Sequence, residues 1–173
     1  MGESGRKCIF RPLCAAVRRV LLAWIFAWES RCVPVLIGEY QYTIDEKGRM
    51  NFPAKFREEM GAQFIVTRWL DQCLVAFPQE EWERMAQILA QKSVVQSSAV
   101  QRFLYASAAE VVPDKQGRIL LTAALREHAS LKKEVTVIGV GSHAEIWDTD
   151  AWHRMNESLD SEAIAQAMKE MGF

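Results

Sequence analysis

The sequence has few of the residues that metal sites and disulfide frameworks require. Its 173 residues include only four cysteines and three histidines, which are His128, His143 and His153. No C-x-x-C pair and no H-x-x-H pair is present, and these spacings argue against a zinc site. Cys73 lies in the apolar run Cys73–Phe77 and is expected to be a small buried side chain. The absence of paired cysteines fits a reducing cytoplasm.

Sequence signatures of catalysis are also absent. The chain has neither a Gly-rich phosphate loop nor a G-x-S-x-G elbow, and no acidic residues stand at metal-ligand spacing. We therefore expect no enzyme activity, no catalytic residue, no cofactor or metal, and no small-molecule substrate.

Long hydrophobic runs are missing, which excludes a membrane partner. The longest run, Val20–Trp28, has nine residues, whereas a membrane-spanning helix needs about 20. Residues 1–34 nevertheless differ from the remainder, because they hold three of the four cysteines and six basic residues against two acidic ones. We expect residues 1–34 to be an extraneous or disordered segment, translated from a misplaced start, with Val35 as the true first residue. An authentic extra segment and a signal peptide without a small-x-small cleavage site are the alternatives.

Positive charge is scarce in the body of the chain. Beyond residue 34 there are 15 basic and 20 acidic residues. A nucleic-acid-binding function would therefore depend on local basic patches, because no global positive field is available.

The most informative feature is an internal repeat. A D-x-x-G-R segment occurs at Asp45–Arg49 and again at Asp114–Arg118, 69 positions later. We expect a first repeat at residues 35–85, a helical spacer at 86–107, a second repeat at 108–155 and a helical C-terminal tail at 156–173.

Each repeat has the local signals of a β-hairpin followed by a short helix. Apolar residues alternate with polar ones before the first segment, which indicates a half-buried strand. Asp45 and Asp114 are expected to accept hydrogen bonds from the amides of a tight turn, while Gly48 and Gly117 adopt the positive φ that closes it. Pro53 suits the first turn of the following helix.

One such unit buries too little surface to stand alone and leaves strand edges exposed. Two copies can pair their strands around a common core. The repeat therefore predicts an α+β fold, a pseudo-twofold barrel of two repeated hairpin-and-helix half-barrels with peripheral helices.

Two stretches carry a family resemblance. G-E-Y-Q-Y-T-I-D-E-K-G-R-M-N-F-P-A-K-F-R-E-E-M-G and D-K-Q-G-R-I-L-L-T-A-A-L-R-E-H-A-S-L resemble the MraZ family of bacterial transcriptional regulators, and the resemblance extends over residues 36–155. It implies tandem AbrB-like, swapped-hairpin half-barrels of double-split type, assembly into a homo-oligomeric ring, and a cytoplasmic, nucleoid-associated location. It also implies sequence-specific binding of double-stranded DNA at G-rich repeated boxes upstream of the operon for cell division and wall synthesis, including its own gene.

The family's D-x-x-x-R residues map to Asp45 with Arg49 and to Asp114 with Arg118. A two-stranded ribbon fits the major groove, where a bidentate arginine can contact guanine O6 and N7. We therefore expect both arginines to read bases and the aspartates to form the turns. Five further basic residues are candidates for phosphate contacts, and two of them, Arg57 and Arg126, could instead tie the short helices to the sheet: Lys47, Lys55, Lys115, Arg57 and Arg126.

Three alternatives remain at this stage. Each arginine could simply pair with the aspartate four positions earlier and stabilise its hairpin, and this role is compatible with DNA binding. The protein could be a ring-forming scaffold with little DNA role, or an antitoxin-like regulator.

The second repeat has Gln116 where the first has Lys47, and Thr122 where the first has Pro53. We therefore expect the first repeat to make the stronger DNA contact.

Overall fold

The computed structural model describes residues 35–172, so the expectations for residues 1–34 lie outside the described residues. The fold over this range is α+β, as predicted. The strands are β1 (Leu36–Thr43), β2 (Arg49–Asn51), β3 (Phe64–Arg68), β4 (Leu74–Pro78), β5 (Ala109–Val111), β6 (Arg118–Leu120), β7 (Glu134–Gly141) and β8 (His143–Asp148). The helices are α1 (Ala54–Met60), α2 (Gln79–Ala90), α3 (Val94–Tyr105), α4 (Ala123–His128), α5 (Thr149–Glu157) and α6 (Ser161–Met171), with a 3-10 turn at Leu70–Gln72.

Local chemistry explains where several helices begin. Pro53 and Pro78 occupy the N-cap positions of α1 and α2, where proline's fixed φ leads into the helix. The Thr122 hydroxyl accepts a hydrogen bond from an amide of α4, and the Asp148 carboxylate does the same for α5. These side chains satisfy amides that the first turn of a helix leaves without a partner.

The strands form two antiparallel layers that join the repeats. One sheet has the order β1-β7-β8-β4-β3-β5, and the second is the two-stranded ribbon β2-β6. If β1 to β4 are exchanged with β5 to β8, the order of the sheet is simply reversed. The two repeats are therefore related by a pseudo-twofold axis, and the outer strand of each repeat pairs with the other repeat.

The strand register shows that this axis passes through the middle of two residue pairs, one in each layer. In the sheet, Val75 lies opposite Glu145 at the centre of the β4–β8 ladder. In the ribbon, Met50 lies opposite Ile119 at the centre of the β2–β6 ladder. Each pair joins corresponding positions of the two repeats, so the residues on the axis face their own counterparts.

One core serves both repeats. Phe56 on α1 and Leu125 on α4 are both fully buried, and they belong to the same cluster as Met50 and Ile119 of the ribbon. The Phe56 ring packs edge-on against Tyr40, with 5.2 Å between the ring centroids. Because the cluster draws on every layer of both repeats, neither repeat has a separate core to fold around.

The outer face of the sheet carries the tryptophans that lie within residues 35–172. Trp82 on α2 packs against Phe77 and Tyr105, and Trp152 on α5 packs against Trp147. Both tryptophans therefore have a packing role. The described part of the chain contains no helix that is both long and apolar enough to cross a bilayer.

Cys73 lies on this outer side and is 1% exposed, as predicted. Burial raises the pKa of its thiol to about 12, so the thiol is protonated and unreactive at neutral pH. Among residues 35–172, no group of three or more histidine, cysteine or acidic side chains could hold a metal ion.

Candidate nucleic-acid interface

The first D-x-x-G-R turn is closed from within. The amide of Gly48 donates to the carbonyl of Asp45 at 2.9 Å, and Gly48 has a φ of +79°. One carboxylate oxygen of Asp45 accepts the amides of Lys47 and Arg49 at 2.9 and 2.8 Å. The other accepts the Arg49 Nε at 2.8 Å and lies 2.7 Å from its Nη2. The aspartate thus shapes the turn and holds the arginine at its end.

The second turn repeats this geometry. The Asp114 carboxylate accepts the amides of Gln116 and Arg118, both at 2.9 Å. Its other oxygen accepts the Arg118 Nε at 2.8 Å and lies 2.7 Å from the Nη2. Gly117 donates its amide to the Asp114 carbonyl and has a φ of +77°. Both turns are thus closed in the same way, by an aspartate that accepts backbone amides and a glycine at positive φ.

Hydrogen bonds from the arginines lower the pKa of both aspartates. The side chain and amide of Arg118 bring the pKa of Asp114 to about 2, from an ordinary value of 3.8. The pKa of Asp45 is lowered for the same reason, with the Arg49 amide as the largest cause. Because the folded state lowers the pKa of Asp114, the ionised carboxylate stabilises the folded turn at pH values above 3.8. This stabilisation is lost as the pH falls towards 2 and the carboxylate becomes protonated. Both ion pairs are therefore intact throughout the neutral range.

The ion pairs leave part of each guanidinium free. The side chains of Arg49 and Arg118 are 36% and 30% exposed. Within residues 35–172, Nη1 of neither arginine makes a hydrogen bond. Because the carboxylate occupies the Nε side, the edge formed by Nη1 and Nη2 remains for two parallel hydrogen bonds to one planar partner. The Asp–Arg pairing anticipated as an alternative is present in both turns, and it leaves this edge of each guanidinium without a partner among residues 35–172.

The lysines named from the sequence lie on the surface. Lys47 and Lys115 are exposed in the two turns, and Lys55 is exposed on α1. None of the three forms an ion pair within the described range. Their ammonium groups are thus available to a polyanion.

Arg57 and Arg126 make one contact that the sequence anticipated and one that it did not. Each donates Nε to the carbonyl just before its own helix, Arg57 to Phe52 at 3.2 Å and Arg126 to Leu121 at 3.3 Å. This contact ties the helix to the preceding strand. Each guanidinium also lies against the turn glycine of the other repeat. Only the strand pairing across the repeats could have revealed this second contact.

The turn glycines lead to a comparison of three alanine variants. A Cβ at Gly48 would lie 2.9 Å from the Leu121 carbonyl oxygen, which is fixed backbone, whereas one at Gly117 would lie 2.6 Å from the mobile Arg57 guanidinium. Gly141 has a φ of +68°, and a Cβ added there would meet nothing within 4 Å beyond its chain neighbours. All three variants incur the cost of a positive φ, about 1–2 kcal/mol. We expect Gly48→Ala to lower the free energy of unfolding most and Gly141→Ala least.

Urea unfolding of the three variants measures this difference. Equal losses at Gly48 and Gly141 would show that the approach of the Leu121 carbonyl does not constrain the first turn.

Comparisons with known proteins agree with the repeat. Residues 35–102 and 104–172 each match the family described as "MraZ protein, putative antitoxin-like". The chain is 46% identical over 143 residues to the transcriptional regulator MraZ of Caldicellulosiruptor saccharolyticus, covering 80% of this chain and 100% of the relative. It is 46% identical over 125 residues to that of Heliobacterium modesticaldum, covering 71% and 87%. With that of Acetivibrio thermocellus it shares 44% identity over 140 residues, covering 79% and 98%.

Proposed function

Because the chain belongs to the MraZ family, we propose that it is a transcriptional regulator that binds double-stranded DNA through its two D-x-x-G-R turns. The observation that carries this proposal is the paired, symmetry-related presentation of Arg49 and Arg118. Each guanidinium is held by an aspartate on one side and is free on its Nη edge, which matches the O6 and N7 acceptors of guanine in the major groove.

The other basic groups have a different role in this proposal. Lys47, Lys55 and Lys115 neutralise phosphates and thereby place the turns on the duplex without specifying a sequence. The body of the chain is mildly acidic, so binding depends on this local charge and weakens steeply with salt.

Specificity requires more than one copy of the interface. A single bidentate arginine–guanine contact is worth about 1–3 kcal/mol of discrimination. We therefore propose that the protein acts as a ring-shaped homo-oligomer on G-rich repeated boxes upstream of the cell-division and cell-wall operon, its own gene included. Each added turn raises the effective concentration of the next at its box. This function places the protein at the nucleoid.

Footprinting on the DNA upstream of its own gene tests the proposal. Purified protein should protect a series of G-rich boxes, and protection should require their guanines. The same duplex with the guanines of each box replaced serves as the control. Equal protection of both duplexes would leave only nonspecific binding, and no protection of either would contradict a role in DNA binding.

A further inference from the structure

Each turn of the candidate interface is completed by an arginine from the other repeat. Arg126 belongs to the second repeat, yet a Cβ at Gly48 of the first repeat would lie 3.0 Å from its Nε and 3.3 Å from its Cζ. Arg57 belongs to the first repeat, and a Cβ at Gly117 would lie 2.6 Å from its Cζ and from its Nη2. Only glycine lets the guanidinium approach the turn backbone this closely.

Backbone hydrogen bonds fix the same crossed arrangement. The Leu121 amide donates to the Gly48 carbonyl at 2.9 Å, and the Phe52 amide donates to the Gly117 carbonyl at 3.1 Å. Leu121 and Phe52 are also the residues whose carbonyls hold Arg126 and Arg57. Each turn, the strand end beside it and the helix arginine therefore form one hydrogen-bonded unit built from both repeats.

The helix arginines retain unused donors. Their Nε atoms are bound to carbonyls, but the Nη atoms of Arg57 and Arg126 make no hydrogen bond among residues 35–172. Arg126 lies against the residue that precedes Arg49 in the chain, so two guanidinium groups border one turn. An anion bound beside this turn would accept hydrogen bonds from the unused Nη donors of Arg126.

We propose that the DNA-binding tips are composite, with Arg126 holding the phosphate beside the base contacted by Arg49, and Arg57 holding the phosphate beside the base contacted by Arg118. This inference rests on the proposed function. The sequence repeat alone would group Arg57 with Arg49 and Arg126 with Arg118. The composite tips instead group each turn arginine with the helix arginine of the other repeat.

A double-mutant cycle tests the crossed assignment. Arg49→Ala is combined separately with Arg126→Gln and with Arg57→Gln in the full chain. The two glutamine variants remove the same group from equivalent helices, so each is the matched control for the other. Fluorescence anisotropy measures the affinity for a short duplex carrying one G-rich box at several salt concentrations.

We expect each glutamine variant to weaken binding severalfold and to reduce the slope of log affinity against log salt by about one. The effects of Arg49→Ala and Arg126→Gln should be non-additive, because the two groups serve one tip, whereas those of Arg49→Ala and Arg57→Gln should add. Arg126→Lys should restore the salt slope without restoring full affinity. Chemical shifts of the turn amides should change at Gly48 in Arg126→Gln and at Gly117 in Arg57→Gln.

Two results would overturn the inference. In the first, the effects of Arg49→Ala and Arg57→Gln on affinity are non-additive, whereas those of Arg49→Ala and Arg126→Gln add. In the second, Arg126→Gln leaves the slope of log affinity against log salt unchanged, although thermal unfolding shows that the variant is folded. If Arg49→Ala still weakens binding, either result contradicts the composite tip but not the proposed function. Wild-type binding by Arg49→Ala together with Arg118→Ala removes the proposed function itself.

Discussion

Replacing Arg49 and Arg118 together with Ala is expected to abolish the preference for G-rich boxes. Each arginine offers a free Nη edge held in place by an aspartate, and each contact with guanine is worth about 1–3 kcal/mol of discrimination. Nonspecific binding through the remaining lysines should persist at low salt. Affinities for a duplex with intact boxes and one with substituted guanines measure the loss.

The matched control is Arg102→Ala with Arg154→Ala. Both residues are exposed, they lie on α3 and α5 rather than in either turn, and the pair removes the same charge. Retention of box preference in the control and its loss in the turn variant would support direct readout. Equal effects in both variants would show that net charge alone governs binding and would contradict the proposed interface.

Replacing Phe56 with Ala is expected to lower the free energy of unfolding by about 3–5 kcal/mol. The ring is fully buried and packs against Tyr40 and Phe52, so its removal leaves a cavity in the common core. Urea denaturation followed by circular dichroism measures the change. Leu120→Ala is the control, since its side chain is 56% exposed, and such surface changes usually stay within about 0.5 kcal/mol.

The shape of the unfolding curve is part of this prediction. Because β1 pairs with β7, β2 with β6 and β5 with β3, loss of Phe56 from the first repeat should weaken the second repeat to the same extent. One cooperative transition should shift as a whole. Separate transitions for the two repeats would contradict a single core.

Local patterns predicted much of the fold. The alternation at Tyr40 and Tyr42 indicated β1, and each D-x-x-G-R segment contained the carboxylate and the glycine that its turn needs. Duplication of the whole unit then predicted a pseudo-twofold fold, because one repeat alone would leave its edges unpaired. These features depend on interactions within a few residues or on repetition, and both can be read from one chain.

Other features depend on contacts between distant residues. Nothing local to Arg57 indicates that it lies against Gly117, because that contact exists only once β2 pairs with β6. The tail was predicted as a helix, and α6 is one, but all its described residues are exposed. Which residues it would contact could not be predicted, since its exposed apolar side chains, Ile164, Met168 and Met171, fit many surfaces equally well.

The central pair of the β4–β8 ladder shows what joining the two repeats in one chain permits. In a dimer of identical single repeats, an axis residue would face its own copy, and two glutamates there would repel each other. Here Val75 is fully buried opposite Glu145, whose carboxylate accepts the Trp147 indole N–H at 2.9 Å. Because both repeats belong to one chain, the two residues on the axis need not be identical. The repeats can therefore differ in sequence where they meet, while the β4–β8 ladder remains continuous.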